Sequence, residues 1–232
     1  CFDQAIGISQ RLDLHKSTVS RILSTLEYEG LISQSPENGR YRLGVGLISL
    51  AGIALGRLSV RAAAQQWLNK LADLTQESIN VFVLDGNECV VVERAFSPHP
   101  VRYMGWIGRR HPLHCTAAGK VLLAYLPTLI QQSHLYFPLT PFTDKTITSW
   151  TDLKASLVDV REAGIAVVHE EYDEGFSSLA APLFDHSGQA AGALAISGPT
   201  TRFTTAQIDE YTPHLKSFAS KISSELGFRL HS

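Results

Sequence analysis

Apolar residues recur with a helical period between Leu14 and Leu31. Val19, Ile22, Leu23 and Leu26 stand at i, i+3, i+4 and i+7, which predicts a helix with one apolar stripe. The opposite side carries Ser17, Ser20, Arg21 and Ser24, with Lys16 and Thr18 near its start and no carboxylate before Glu27. Gly30 supplies the stop, because glycine takes the left-handed C-terminal position without a Cβ penalty. Phe2–Leu12 predicts a preceding helix, with Ala5 and Ile6 packed beneath the second and a turn near Asp13–His15. The period then changes to two. Leu31–Gln34 and Tyr41–Leu43 alternate around Pro36-Glu37-Asn38-Gly39, and Asn-Gly between two such runs is a strong hairpin signal. Helix, turn, helix and hairpin in this order is a winged helix-turn-helix.

Gly44–Leu58 reads differently. Val45, Leu47, Ile48, Leu50, Ala51, Ile53, Ala54 and Leu55 cover almost the whole circumference of a helix, so the segment must bury itself against something. A second copy of the chain and the core of a single domain both satisfy that demand. From Ser59 the pattern alternates between helix and strand. Helices are expected over Ala62–Glu77, Ala117–Leu126, Thr128–Tyr136, Thr151–Ala163 and a closing stretch to about Leu226. Strands are expected over Ile79–Leu84, Glu88–Ala95, Val101–Trp106, Ile165–His169, Ser178–Phe184 and Ala190–Ser197. These elements predict an α+β fold. Its parts are a winged helix-turn-helix over 1–43, a linker helix over 44–58, and a GAF-like α/β domain with a mainly antiparallel sheet over 59–232.

Charge sharpens the first part of this picture. The 232-residue chain has a formal net charge of −2, so it is no polycation. Within residues 1–57, however, Arg11, Lys16, Arg21, Arg40, Arg42 and Arg57 outnumber Asp3, Asp13, Glu27, Glu29 and Glu37 by one. A face of hydroxyls and cations suits phosphates and base edges, although a merely solvated helix face has the same composition. The candidate DNA contacts are Lys16, Ser17, Thr18, Ser20 and Arg21 in the major groove, with Arg40 and Arg42 on the backbone or minor groove. Such a weak local charge predicts binding by two or more copies together. Cys1, Cys89 and Cys115 lie scattered with no C-x-x-C, as in a cytoplasmic protein with reduced thiols. The apolar run Leu43–Leu58 is shorter than the roughly 20 residues that a membrane span requires.

Three blocks carry a family resemblance. K-S-T-V-S-R-I-L-S-T-L-E-Y-E-G-L-I from Lys16, followed by G-R-Y-R-L-G from Gly39, resembles the DNA-binding domain of IclR-type bacterial transcriptional regulators. Arg109–Leu126 and Glu170–Gly188, continuing into Ile196–Pro199, resemble the effector-binding domain of the same family. The resemblance runs along essentially the whole chain, in order. It implies a regulator of operator DNA, taken here as a repressor, that forms a homodimer or dimer of dimers through a linker helix. It also implies that the family's first helix lies upstream of Cys1.

The resemblance directs attention to His114-Cys115-Thr116-Ala117-Ala118-Gly119-Lys120. Thr116 can cap the next helix, and Ala117, Ala118 and Gly119 can leave its first N–H groups open to a carboxylate. Those small residues equally suit close packing against a sheet. Family members use this segment for small organic acids, which implies a carboxylate, keto-acid, sugar-acid or aromatic-acid effector. Ser178 stands where many members have cysteine. Ser197 matches a serine before Gly-Pro, and Ala195 replaces a serine found in some members. Arg102, Tyr103 and Trp106 are candidates for a lid and charge partner. An enzyme is the competing class. Adjacent His114 and Cys115 point apart on an extended chain, and His169, Glu170, Glu171, Asp173 and Glu174 match no metal-ligand spacing and read as a solvated acidic loop. No catalytic residue, metal or cofactor is therefore expected. A pure interaction module would need neither recognition helix nor wing.

Overall fold

The computed structural model describes residues 4–50 and 59–229. The chain divides into two compact units, Cys1–Leu58 and Ser59–Ser232.

In the first unit, α1 (Ala5–Leu12) and α2 (Lys16–Tyr28) are joined by a turn in which Asp13 is left-handed at φ 51°. His15 caps α2, its Nδ1 accepting from the Ser17 N–H at 3.4 Å and lying 2.8 Å from the Ser17 hydroxyl. Gly30 takes φ +67° after α2, the left-handed stop that its sequence position suggests. Strands β1 (Ile32–Gln34) and β2 (Tyr41–Leu43) then form an antiparallel hairpin. Val19, Leu23 and Tyr41 make a small core, with Ala5, Ile8 and Ile32 packed around it. The apolar stripe of α2 is narrower than its periodicity suggests. Leu26 is half-buried and Ile22 is exposed.

Helical backbone resumes at Gly46 and is described as far as Leu50. Val45, Ile48 and Leu50 are exposed, so the other described residues of the first unit do not cover them. The rest of the expected linker helix lies outside the described residues, as do Phe2 and Cys1.

The second unit is built on one antiparallel sheet in the order β5-β4-β3-β8-β7-β6. Its strands are β3 (Ser78–Asp85), β4 (Glu88–Ala95), β5 (Arg110–Pro112), β6 (Ala166–His169), β7 (Phe176–Phe184) and β8 (Ala190–Pro199). Helices α3 (Ser59–Thr75) and α7 (Thr205–Glu225) pack together on one face. Helices α4 (Ala117–Tyr125) and α6 (Trp150–Ala163) cover the other, and the short α5 (Thr128–Gln131) follows α4.

The two faces differ in residue size because successive side chains of a strand point to opposite sides. Leu179, Leu183, Leu194 and Ile196 are buried toward α3 and α7, where Leu68, Leu71, Leu215 and Ile222 are also buried. Their neighbours Ser178, Ala180, Ala193, Ala195 and Ser197 face α4. Register pairs Ser178 with Ser197 and Ala180 with Ala195 across β7 and β8. A run of short side chains therefore lies under α4, which lets that helix approach closely.

Two expected elements fold differently. Val101–Trp106 forms no strand. Its carbonyls bond to side chains instead: Ser78 Oγ donates to Tyr103 O at 3.0 Å, Arg109 to Met104 O at 3.1 Å, and Arg94 to Gly105 O. The sheet edge is completed by Arg110–Pro112, with His111 opposite Cys89. The helix expected over Thr128–Tyr136 is the short α5 followed by a 3₁₀ turn, Gln132–His134.

Candidate functional site

Two surfaces carry the expected chemistry, one in each unit. On the first, Lys16, Ser17, Ser20 and Arg21 are exposed along α2, while Thr18 is half-buried. Arg40 and Arg42 flank buried Tyr41 and, two residues apart on the hairpin, share its solvent face. Arg42 Nε donates to the Ser33 hydroxyl at 2.9 Å, which orients that cation. The hairpin is tied to the helix by Glu27, whose carboxylate accepts the Gln34 N–H at 2.8 Å. The turn is held by Asn38 Oδ1, which accepts the Arg40 N–H at 3.0 Å, and by Gly39 at φ +65°. Helix face and wing thus form one fixed cationic surface.

In the second unit, a cavity of about 50 Å³ opens where α4 begins over the ends of β7 and β8. Thr116 sets its floor. The Thr116 hydroxyl donates to Pro112 O at 2.8 Å and accepts the Gly119 N–H at 3.2 Å. Ala117 and Ala118 line the cavity, and as the first residues of α4 their N–H groups have no partner within the helix. Ser178 and Ser197 line it from the sheet, and neither hydroxyl has a hydrogen-bond partner among the described residues. Tyr103 closes one side.

Two expected members stand elsewhere. Gly119 does not line the cavity. A Cβ there would lie 2.4 Å from Leu113 O, so this glycine serves the contact between α4 and the preceding chain, and its N–H is taken by the Thr116 cap. Arg102 lines an outer groove shared with Arg109, Asp173 and Glu174, where it donates to Ser97 O and His99 O at 3.3 and 3.4 Å.

The remaining lining could not be chosen from sequence spacing. Phe82, Val168 and Ala195 come from three strands, Cys115 precedes the Thr116 cap, and His111 comes from β5. Phe176 and Ser177 begin β7, and Tyr172 and Asp173 lie on the connection into it, a stretch that sequence alone reads as a solvated acidic loop. In the fold that loop is built. Glu171 pairs with buried Lys120 at 2.5 Å, and Glu170 pairs with Lys145.

Apart from Asp173, the described residues that line the cavity carry no charge at neutral pH. Burial and the charge of Arg109 push the His111 pKa down to about 4, so its imidazole is uncharged at neutral pH. Its Nε2 lies 3.3 Å from the Tyr103 hydroxyl. Burial raises the Tyr103 phenol and the Cys115 thiol well above their ordinary ranges and the Cys89 thiol to about 12, so all three stay protonated. His114 is no partner for Cys115, since its Nε2 meets Thr140 O at 3.0 Å. The cavity offers hydrogen bonds and aromatic surface, without a nucleophile.

A family model described as "IclR helix-turn-helix domain" matches residues 7–36, and another, "Bacterial transcriptional regulator IclR C-terminal", matches residues 52–224. The HTH-type transcriptional regulator KdgR of Escherichia coli is 36% identical over 97% of this chain and 88% of its own length. The HTH-type transcriptional repressor AllR of the same species is 30% identical over 97% and 83%. The fold is shared with a crystal structure of an IclR homologue complexed with 4-hydroxybenzoate from Microbacterium hydrocarbonoxydans. That match has a TM-score of 0.83 at 23% identity and covers 97% of this chain and 91% of that one.

The neutral His111 leads to a testable consequence. An unfolded chain takes up a proton near pH 6.5, whereas the folded site resists until about pH 4. The unfolded state therefore binds more protons between those values, and stability must fall as the pH drops through that window, by up to about 3 kcal/mol from this residue. Urea denaturation at pH 7 and pH 4 should show a smaller loss for His111→Gln than for the wild type. Equal losses would contradict a buried neutral His111.

Proposed function

The chain belongs to the IclR family of bacterial DNA-binding transcriptional regulators, and from that premise we propose that it is a repressor whose hold on an operator is altered by a small organic acid in the α4 cavity. One observation carries the effector reading. The free N–H groups of Ala117 and Ala118 and the unpartnered hydroxyls of Ser178 and Ser197 line one cavity. Free N–H groups at a helix start, where the helix dipole is positive, attract a carboxylate, and serine hydroxyls can donate to its oxygens. The 4-hydroxybenzoate bound to the Microbacterium homologue supports an acid. The name of the AllR repressor supports the sign of regulation.

The DNA reading assigns Lys16, Ser17, Thr18, Ser20 and Arg21 to the major groove and Arg40 and Arg42 to the backbone or minor groove. Exposure of Lys16, Ser17, Ser20 and Arg21 supports this assignment, and half-buried Thr18 is its weakest member. The exposed Val45, Ile48 and Leu50 support pairing of copies through 44–58, as a homodimer or dimer of dimers. Two-fold pairing leads to palindromic half-sites about one helical turn apart. Effector binding would reach the operator by changing the spacing of paired α2 helices.

Three measurements test this reading. Arg21→Ala should weaken operator binding by about 1–3 kcal/mol and relax discrimination at one base pair, as for an arginine on guanine. An equal loss on operator and random DNA would make Arg21 a phosphate contact. Light scattering at micromolar concentration should report a dimer or tetramer, and a monomer would remove the pairing proposal. Ala118→Asp puts a carboxylate against the acid's own charge. It should abolish the effector response in a mobility-shift assay while leaving basal operator binding unchanged, and a normal response would place the effector elsewhere.

A further inference from the structure

One carboxylate lines the cavity. Asp173 is half-buried on the connection between β6 and β7, and among the described residues its side chain makes neither a hydrogen bond nor an ion pair. Two of its acidic neighbours are paired. Glu171 pairs with Lys120 at 2.5 Å, and Glu170 pairs with Lys145 while accepting the Gly175 N–H at 2.9 Å. The loop backbone is fastened as well, with the Thr143 and Thr146 hydroxyls each donating at 2.6 Å to Glu170 O and Glu171 O. Asp173 is therefore held at the cavity wall by a structured loop.

What surrounds it favours a positive charge. Tyr103, Tyr172 and Phe176 line the same space, with the Tyr103 and Phe176 rings 5.9 Å apart. Aromatic faces beside a carboxylate attract ammonium and quaternary ammonium groups. No lysine or arginine lines the cavity. Asp173 also lines the outer groove with Arg102 and Arg109, and neither forms an ion pair with it. Arg102 donates to Ser97 O and His99 O, while Arg109 donates to Met104 O and lies 4.8 Å from the Trp106 and 5.6 Å from the Tyr103 ring centroid. In the same cavity, the N–H groups of Ala117 and Ala118 and the hydroxyls of Ser178 and Ser197 favour an anion.

We infer that the ligand is a small zwitterion, its carboxylate at the start of α4 and its ammonium or quaternary ammonium group at Asp173 among the rings of Tyr103, Tyr172 and Phe176. The inference rests on the acid reading above, which assigns only the first of these two ends.

The test uses matched pairs on the whole chain, followed by calorimetry. Glycine betaine is set against its uncharged-carbon isostere 3,3-dimethylbutanoate, alanine against propanoate, and proline against cyclopentanecarboxylate. In the wild type, at least one zwitterion should bind about tenfold or more tighter than its partner acid. Asp173→Asn should collapse that gap without weakening the acid, and Asp173→Glu should restore part of it, which separates loss of charge from damage to the loop. Acids that bind as tightly as their zwitterions, with no effect of Asp173→Asn, would overturn the zwitterion and leave the acid reading intact. Binding that survives Ala118→Asp, or absence of binding by every member of every pair, would overturn both.

Discussion

The effector-binding unit depends on how closely α4 can approach the sheet. A Cβ on Gly119 would sit 2.4 Å from the Leu113 carbonyl and 2.5 Å from its Cα, backbone that cannot move aside. Ala117 and Ala118 keep the same turn thin, and Ala180, Ala193 and Ala195 keep the facing strands low. The sheet tolerates this because its large residues are on the other side, where Leu179, Leu194 and Ile196 pack toward α3 and α7. Bulk on one face and brevity on the other fix where the helix lies. The cavity lies over these short residues, where Ser178 and Ser197 add hydroxyls to its lining.

That asymmetry leaves an otherwise ordinary helix start open to the cavity. Thr116 satisfies the Gly119 N–H, and the first two N–H groups of α4 have no partner within the helix. Lys120, buried to 2% exposure one turn along, spends its charge on Glu171 and so anchors the loop that brings Tyr172 and Asp173 to the opposite wall. One ion pair thereby links both sides of the cavity. Because it is buried, loss of either partner would leave an uncompensated charge.

Much of this was legible in the sequence. Period 3.6 and period 2 located α2, its wing and most of the second unit's strands, because those elements each bury one face and their patterns record it. The cap and small residues at 116–118 pointed to an open helix start, and the family resemblance singled out Ser178 and Ser197. What stayed hidden depends on long-range pairing. His111 enters through a strand that exists only because it pairs with β4, while Val101–Trp106 looks like a strand but gives its carbonyls to side chains of residues 78, 94 and 109. Asp173 looks like a solvated carboxylate until Lys120 and Lys145 are seen to hold its neighbours. Gly119 looked available because spacing cannot show what a Cβ would strike.

The central claim is that occupancy of the α4 cavity and occupancy of the operator bias one equilibrium. Such coupling is typically worth about 1–3 kcal/mol, or roughly 5- to 150-fold, and it must be reciprocal. The most direct test is calorimetric titration of the cavity ligand into free protein and into protein saturated with operator DNA. The two dissociation constants should differ, in the weakening direction for a ligand that releases the repressor, by the same factor by which the ligand changes operator affinity. A ligand that binds both forms equally while still changing operator affinity would contradict the claim.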